Sequence, residues 1–254
     1  STVFRAGAMT VPLRSDVNHL AKIASDPVPA WRSENAAINE SDPTFSRVTF
    51  TPRSLAVLVK VSRELLDDSL NINLALPDVI TAAMAQELDR VALLGSGTAP
   101  EPEGIVNFSG LTSNTFAGGS LTSYSPLITA RTALRTDNSD VTAYIMSPRD
   151  EGTLADLTAT DGQPLQLPPA IANIPMMATS KMPTDGGTGS DESQIIAGDF
   201  SKLMIGIRNE IRIDILRERY ADSHQYAFVA HLRADVAATH EAAFTVLDAI
   251  TIGT

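Results

Sequence analysis

The residues in this chain that could do chemistry include four histidines, the adjacent carboxylates Asp67 and Asp68, the glycine clusters at 95–97 and 186–189, and the Ser180-Lys181 step. Asp67 and Asp68 sit in a segment with helical character. Neighbouring helix residues point about 100° apart, so the two carboxylates do not converge on one atom and read as a solvated helix face. His19, His224, His231 and His240 include no pair spaced three or four apart, the spacing a helical metal site uses. His231 and His240 flank a strand end and read as structural. Gly95-Ser96-Gly97-Thr98 follows a helix instead of opening one, whereas a phosphate cradle needs strand, loop and helix N-terminus in that order. Gly186 to Gly189 has no Lys-Ser or Lys-Thr after it, and reads as a surface loop. Ser180-Lys181 are adjacent, a poor placement for a dyad, and no Ser–His–Asp order with a nucleophile elbow exists. Cysteine is absent, which excludes disulfides, thiolate zinc sites, iron–sulfur clusters and cysteine nucleophiles. The expectation is a protein that is not an enzyme, with no catalytic, cofactor-binding or metal-ligating residues.

The elements around these residues must then serve another purpose. The 254 residues are 43% hydrophobic and 19% charged, enough to build a core and unlike a disordered composition. The net charge of -11 lacks the basic stripe of a sequence-reading nucleic-acid binder. No apolar run approaches the roughly 18 residues of a membrane span, and Ser1 to Thr10 shows no signal-peptide pattern.

Residues 1–30, broken by Ser15-Asp16-Val17-Asn18 and by Pro27 and Pro29, read as an extended arm. Residues 31–53 read as a two-stranded excursion with a polar tip. Leu55 to Val61 is nearly all apolar, predicting a strand buried on both faces. Ser62 can cap a short helix through Asp68. Asn73 is a cap candidate for a long helix over about 74–94, with Pro77 in its tolerant first turn. Ile80, Met84, Leu88, Val91 and Leu94 form one apolar stripe on that helix. Leu127–Leu134 and Arg149–Leu157 read as helices. Ala143–Met146, Gln194–Asp199, Met204–Ile207, Ile211–Ile215, Tyr226–Leu232 and Ala242–Leu247 read as strands, of which Ile211–Ile215 alternates strictly and has one wet face. Residues 216–224 form a charged turn. Mixed elements without regular βαβ alternation predict an α+β fold.

Several motifs fall in a telling order. They are the polar excursion before Phe45, Val61-Ser62-Arg63-Glu64-Leu65-Leu66-Asp67-Asp68-Ser69, the long helix, and Leu94-Gly95-Ser96-Gly97-Thr98 followed by Pro102-Glu103-Gly104-Ile105. Then come Ile145-Met146-Ser147-Pro148-Arg149, Asp161-Gly162-Gln163-Pro164-Leu165, Ala197-Gly198-Asp199-Phe200-Ser201, and Phe228 to Asp235 ahead of Ala242-Ala243-Phe244. Over about residues 30–250 this series resembles the HK97-type major capsid proteins of tailed bacteriophages, a protein that gene transfer agents and prophage remnants also use.

The resemblance implies an HK97-like capsid fold. It places an N-terminal arm at 1–30, an E-loop hairpin at 31–53, a P-domain with a spine helix at 54–97 and 207–235, and an A-domain at 98–206 and 236–254. It implies hexamers and pentamers closing into an icosahedral shell around double-stranded DNA, which an acidic subunit would hold loosely and without sequence preference. A portal protein, a maturation protease and, in some members, decoration proteins are the further partners implied; a membrane is not. The location implied is the virion, assembled in the host bacterial cytoplasm. A chain starting at Ser1 looks like the mature form without the N-terminal scaffolding segment. The rival readings are an encapsulin-like compartment shell and an unrelated α+β hydrolase. Expected inter-subunit contacts are Trp31, Arg32, Glu34, Glu40, Asp42, Arg47 and Arg53 of the E-loop, with Arg217, Glu218, Arg219 and Asp222 of the charged turn. A projecting two-stranded ribbon is marginally stable alone, which independently calls for a neighbouring subunit.

Some members of the family covalently join an E-loop lysine to a P-domain asparagine, promoted by a nearby glutamate. The lysines here are Lys22, Lys60, Lys181 and Lys202, none within 31–53, where Ile38 falls about at the reactive position; 226–233 holds no asparagine or glutamate. Assembled particles should therefore run on denaturing gels as one band near the monomer mass. A ladder of higher bands would refute this.

Overall fold

The computed structural model describes residues 1–25, 31, 44–68, 72–159, 161–216, 218–220 and 224–251. The chain begins with helix α1 (Thr2–Ala6) and strand β1 (Met9–Pro12), where an extended arm is expected from the sequence. The arm is instead docked. The Asp89 carboxylate accepts the otherwise unpaired amides of Thr2 (2.7 Å) and Val3 (3.2 Å), together with the Ser1 hydroxyl. Val3 and Ala6 are buried, and Gly7, at φ 120°, ends the helix in a conformation few other residues adopt.

Strands β2 (Asn18–Ser25) and β3 (Thr44–Phe50) form an antiparallel ribbon whose register runs from Asn18↔Phe50 to Ser25↔Thr44. The sequence reading of a two-stranded excursion over 31–53 is corrected here: the partner of 44–50 is 18–25, a segment read as part of the arm. Alternation within 44–50 announces a strand, but nothing local announces a partner more than twenty residues away. The ribbon also carries Lys22, opposite Ser46, so it is not free of lysine.

Strand β4 (Arg53–Ser62) leads into helix α2 (Arg63–Asp68) and then helix α3 (Ile72–Leu94). Exposure alternates along β4, with Ser54, Ala56, Leu58 and Lys60 open. The expectation of burial on both faces fails because α3 covers only one face of this sheet. Helix α3 begins two residues before the expected start, so Asn73 lies inside it and is not its cap. Pro77 becomes its sixth residue, contributing no N–H to the ladder. The apolar stripe holds: Ile80, Met84 and Val91 are buried, with Leu88 and Leu94 packed at the edge.

The remaining elements are β5 (Gly119–Ser120), α4 (Ser125–Thr136), β6 (Ala143–Met146), α5 (Pro148–Ala155), β7 (Met176–Ala178), β8 (Ser193–Gly198), β9 (Leu203–Leu216), β10 (Gln225–Ala238) and β11 (Phe244–Thr251). Two strands expected at 204–207 and 211–215 are one strand, β9. The ladder between β9 and β10 shifts register near Arg233, opposite the polar run Arg208-Asn209. Such an irregularity bends and re-aims a strand without ending it, so the apolar pattern breaks although the strand continues.

One sheet has the order β1-β9-β10-β4 and a second the order β5-β11-β8-β6-β7. Helix α3 lies on the first, packing Ile80 and Met84 against Phe228, Ala230 and Leu232. Helix α4 covers the second, packing Leu127, Ala130 and Leu134 with Tyr144, Ile195 and Leu247. A shared core joins them: Val3, Leu93, Ile105, Ile145, Ile196, Leu203, Ile205 and Phe244 are all fully buried in it. There Phe200 meets Phe244 edge to face at 5.5 Å, a geometry worth about 1 kcal/mol beyond the area buried.

The sequence motifs are the joints of this frame. After α3, a Cβ at Gly95 would lie 2.3 Å from the Pro102 carbonyl, and one at Gly104 would lie 2.3 Å from the Gly95 nitrogen; only glycine permits this close crossing. Ser147 caps α5 by accepting from the Asp150 amide, with Pro148 at the first helical position. The Asp150 carboxylate, buried, accepts from the hydroxyls of Ser147 and Ser193. Arg149 donates to the carbonyls of Thr184, Asp191 and Ile250, tying the β7–β8 connection and the end of β11 to α5. The α+β class expected from the element order is the class observed.

Candidate assembly interface

Both legs of the β2–β3 ribbon are held by one strand. Arg233 of β10 donates to Asp16, just before β2 (3.0 Å), and to the Pro52 carbonyl, just after β3 (3.2 Å). Two residues along β10, the buried Asp235 carboxylate accepts the Thr51 amide at 2.6 Å. Arg208 of β9 adds a second cation on Asp16. Beneath these contacts Val48 and Phe50 are buried with Leu13 and Met204, so the ribbon base has its own small core. Burial pushes the Asp235 carboxyl above its ordinary range, opposed by its two backbone hydrogen bonds and by Arg53. Burial likewise raises Glu103, reinforced by the charges of Glu241 and Asp235.

Beyond its base the ribbon has little cover. Ser46, Arg47 and Thr49 are exposed, as is Leu20. Trp31, the sole tryptophan, has a relative exposure of 104%, so it touches essentially nothing of its own chain. The sequence reading makes Trp31 and Arg47 inter-subunit contacts; in the single chain both are exposed. Arg53, the first residue of β4, lies instead at the ribbon base opposite Ala234. Arg32, Glu34, Glu40 and Asp42 fall outside the described residues, as do Arg217 and Asp222 of the charged turn. Within that turn Glu218 and Arg219 are exposed. Tyr220 anchors it, with the Lys60 ammonium 4.3 Å and the Arg219 guanidinium 5.6 Å from its ring centroid.

A groove of about 200 Å³ opens where β4, the C-terminal half of α3 and the loop after it meet. Its walls are Leu55, Leu88, Val91, Pro100, Pro102 and Ala234, and its rim carries Arg53, Glu87 and Glu101. Arg90 binds both rim acids: its Nη2 lies 2.7 Å from Glu87 Oε1 and also donates to Glu101, whose other oxygen accepts the Ser96 amide at 3.0 Å. These hydrogen bonds raise the Arg90 pKa and hold the Glu101 carboxyl at about 2. Sequence reasoning passed over this network. Glu87 and Arg90 are a readable i,i+3 pair on α3, but Glu101 joins them only because the glycine crossing folds the loop back. Neither the Asp89 cap nor the Arg233–Asp16 contact has a local signal.

This arrangement offers an exposed ribbon, an apolar recess and charge. Among the described residues no group of three or more His, Asp or Glu could hold a metal, and no helix is long and apolar enough to cross a membrane.

Comparisons with known proteins bear on what such a surface is for. A model of the Phage capsid family matches residues 2–249. The major capsid protein of Klebsiella oxytoca phage phiKO2 is 23% identical over 229 residues, covering 85% of this chain and 53% of its own length. The chain thus spans about half the length of that curated relative. Among solved structures, the capsid of a native GTA particle superposes with a TM-score of 0.74 at 21% identity, over 99% of this chain and 91% of that one. A chain from Microbacterium phage Oxtober96 superposes with a TM-score of 0.75 at 16% identity, over 100% and 91%. The HK97-like fold expected from the motif order is the fold these neighbours share.

The groove rim sets an acid-sensitive element of stability. Glu101 in the folded chain lies at about 2 against an ordinary 4.5. Its contribution is fully present above the ordinary value and is lost as pH falls from there toward the folded one. Glu101→Gln should flatten the pH dependence of unfolding in that window and lower stability at neutral pH by about 1 kcal/mol or less, as a partly exposed bridge does. Urea melts across pH would show it; an unchanged acid slope in the variant contradicts the assignment.

Proposed function

The chain belongs to the phage capsid family, and on that premise we propose that it is the major structural subunit of an icosahedral shell. Copies join as hexamers and pentamers, and the closed shell encloses double-stranded DNA. The observation that carries this reading is the match of the family model to residues 2–249, nearly the whole chain. The structure supports it through a ribbon and a tryptophan that their own chain leaves uncovered. A heterologous contact, in which one patch meets a different patch on the next copy, builds rings, and closed rings of such subunits tile a shell.

In this reading residues 1–30 are the arm, 31–53 belong to the E-loop, 54–97 and 207–235 form the P-domain, and 98–206 with 236–254 form the A-domain. Strand β2 of the arm pairs with strand β3 of the E-loop. The E-loop and the charged turn, with Trp31, Arg47, Glu218 and Arg219 exposed on them, supply the lateral contacts. The subunit resides in the virion after assembly in the bacterial cytoplasm, and meets a portal protein and a maturation protease on the way. With a net charge of -11 the subunit lacks a strong counterion-release drive, so the enclosed DNA is held loosely and slides during packaging. The role is structural, and no catalytic step is assigned to any residue.

Negative-stain microscopy and light scattering of the purified protein test this. Closed particles or capsomers are the expected result at moderate concentration. A protein that stays strictly monomeric across salt and pH contradicts the proposal.

A further inference from the structure

Two features of the described surface are unsatisfied and complementary. One is Trp31, fully exposed. The other is the apolar groove between β4, α3 and the loop after it, about 200 Å³ in volume and open to solvent. We propose that Trp31 of one copy inserts into this groove on a neighbouring copy, and that this plug is the anchor of the subunit contact. The inference rests on the shell-subunit reading and names the residues that would make the contact.

The size of the groove suits a single large side chain and not a folded segment. An aromatic ring there would bury roughly 150–250 Å², the largest payload any one residue offers, and tryptophan is the residue most enriched at interface anchors. The rim chemistry fits as well. An indole carries one N–H that seeks an acceptor when buried, and the Glu87 and Glu101 carboxylates stand at the mouth. Arg53 is also among the residues that line the groove, and a guanidinium there can lie over an aromatic face. Arg32, the next residue in sequence after Trp31, is a cation, and the groove and its loop carry the acids Glu87, Glu101 and Glu103.

The occupant is a second copy for reasons of reach. The groove lies by Arg53, three residues past the ribbon base at Phe50, whereas Trp31 follows the far end of β2. The paired length from Phe50 to Thr44 is about 20 Å. The six residues from Ser25 to Trp31 span at most about 22 Å. Trp31 could meet its own groove only by laying that link straight back along the ribbon, and in the isolated chain it does not. Plug and groove are separate patches, so the contact runs head to tail and can close a ring.

Because Trp31 is the only tryptophan, its fluorescence reports this contact directly. Emission and acrylamide quenching should be compared in assembled and dissociated fractions separated by size. The expected result is a shift to shorter wavelength and several-fold weaker quenching on assembly. Two groove-filling variants, Ser54→Phe and Ala234→Leu, should leave Trp31 quenchable in every fraction while a circular-dichroism melt shows the fold intact in at least one of them. Assembled wild-type particles whose tryptophan stays fully quenchable overturn the plug and leave the shell reading standing. Protection that persists in a folded, groove-filled variant also overturns it, placing Trp31 elsewhere in the contact. A wild-type protein that never associates removes the shell reading, and the plug with it.

Discussion

Arg233 and Asp235, two residues apart on β10, take hold of Asp16, Thr51 and Pro52, the points where the chain enters and leaves the β2–β3 ribbon. Two paired strands have no core of their own and are marginal in water. Here the base alone is given one, by Val48, Phe50, Leu13 and Met204. The frame is therefore organised to fix where the ribbon starts and in which direction it leaves. β10 can do this because its other end is buried deeply: Val236 and Ala238 belong to the core shared with α1, α3 and the second sheet. A strand anchored at one end and bearing the clamp near its middle transmits the rigidity of the whole molecule to the ribbon legs. Among the described residues beyond the base, Leu20, Ser46 and Arg47 are exposed.

The same logic explains the open faces. The sheet containing β4 carries α3 on one side only, and Leu58 on the other remains 44% exposed. At the far end of β9 and β10, Ile211 and Ile215 are also partly open. In a monomer that functioned alone, such positions would favour polar residues. In a subunit that meets copies of itself, partial exposure of apolar side chains is the material of contact. Glu101 at the groove rim is held ionised by Arg90, while the groove walls are apolar.

What the sequence made legible was local. The stripe Ile80, Met84, Leu88, Val91 and Leu94 follows from helical periodicity alone, and the all-apolar run Ala143–Met146 is indeed a fully buried strand. The charged turn after 216 is marked by its own composition. What stayed hidden depended on partners distant in the chain. Nothing in Asn18–Ser25 says that it pairs with Thr44–Phe50, and so the ribbon boundary was misplaced. The polar Arg208-Asn209 pair looked like a strand break because it sits at a register shift. The apolar run of β4 looked doubly buried because sequence cannot count the layers above and below a sheet. Asp89, Asp235 and Asp16 each act on backbone or side chains far along the chain. The order of short motifs pointed to the fold, and the structure gives those motifs their physical reasons as caps, crossings and loop ties.

The central claim is that the ribbon is pinned at its base by its own chain and completed beyond it by another copy. Amide hydrogen exchange measured in dissociated subunits and in assembled particles tests this most directly. Amides at the ribbon base and in the buried ends of β9 and β10 should be slow in both states. The amides of 20–25 and 44–47 should exchange rapidly in dissociated subunits and slow by orders of magnitude on assembly, as local opening is suppressed. Equal protection of the distal ribbon in both states would contradict the claim, because the ribbon would then need no neighbour to be stable.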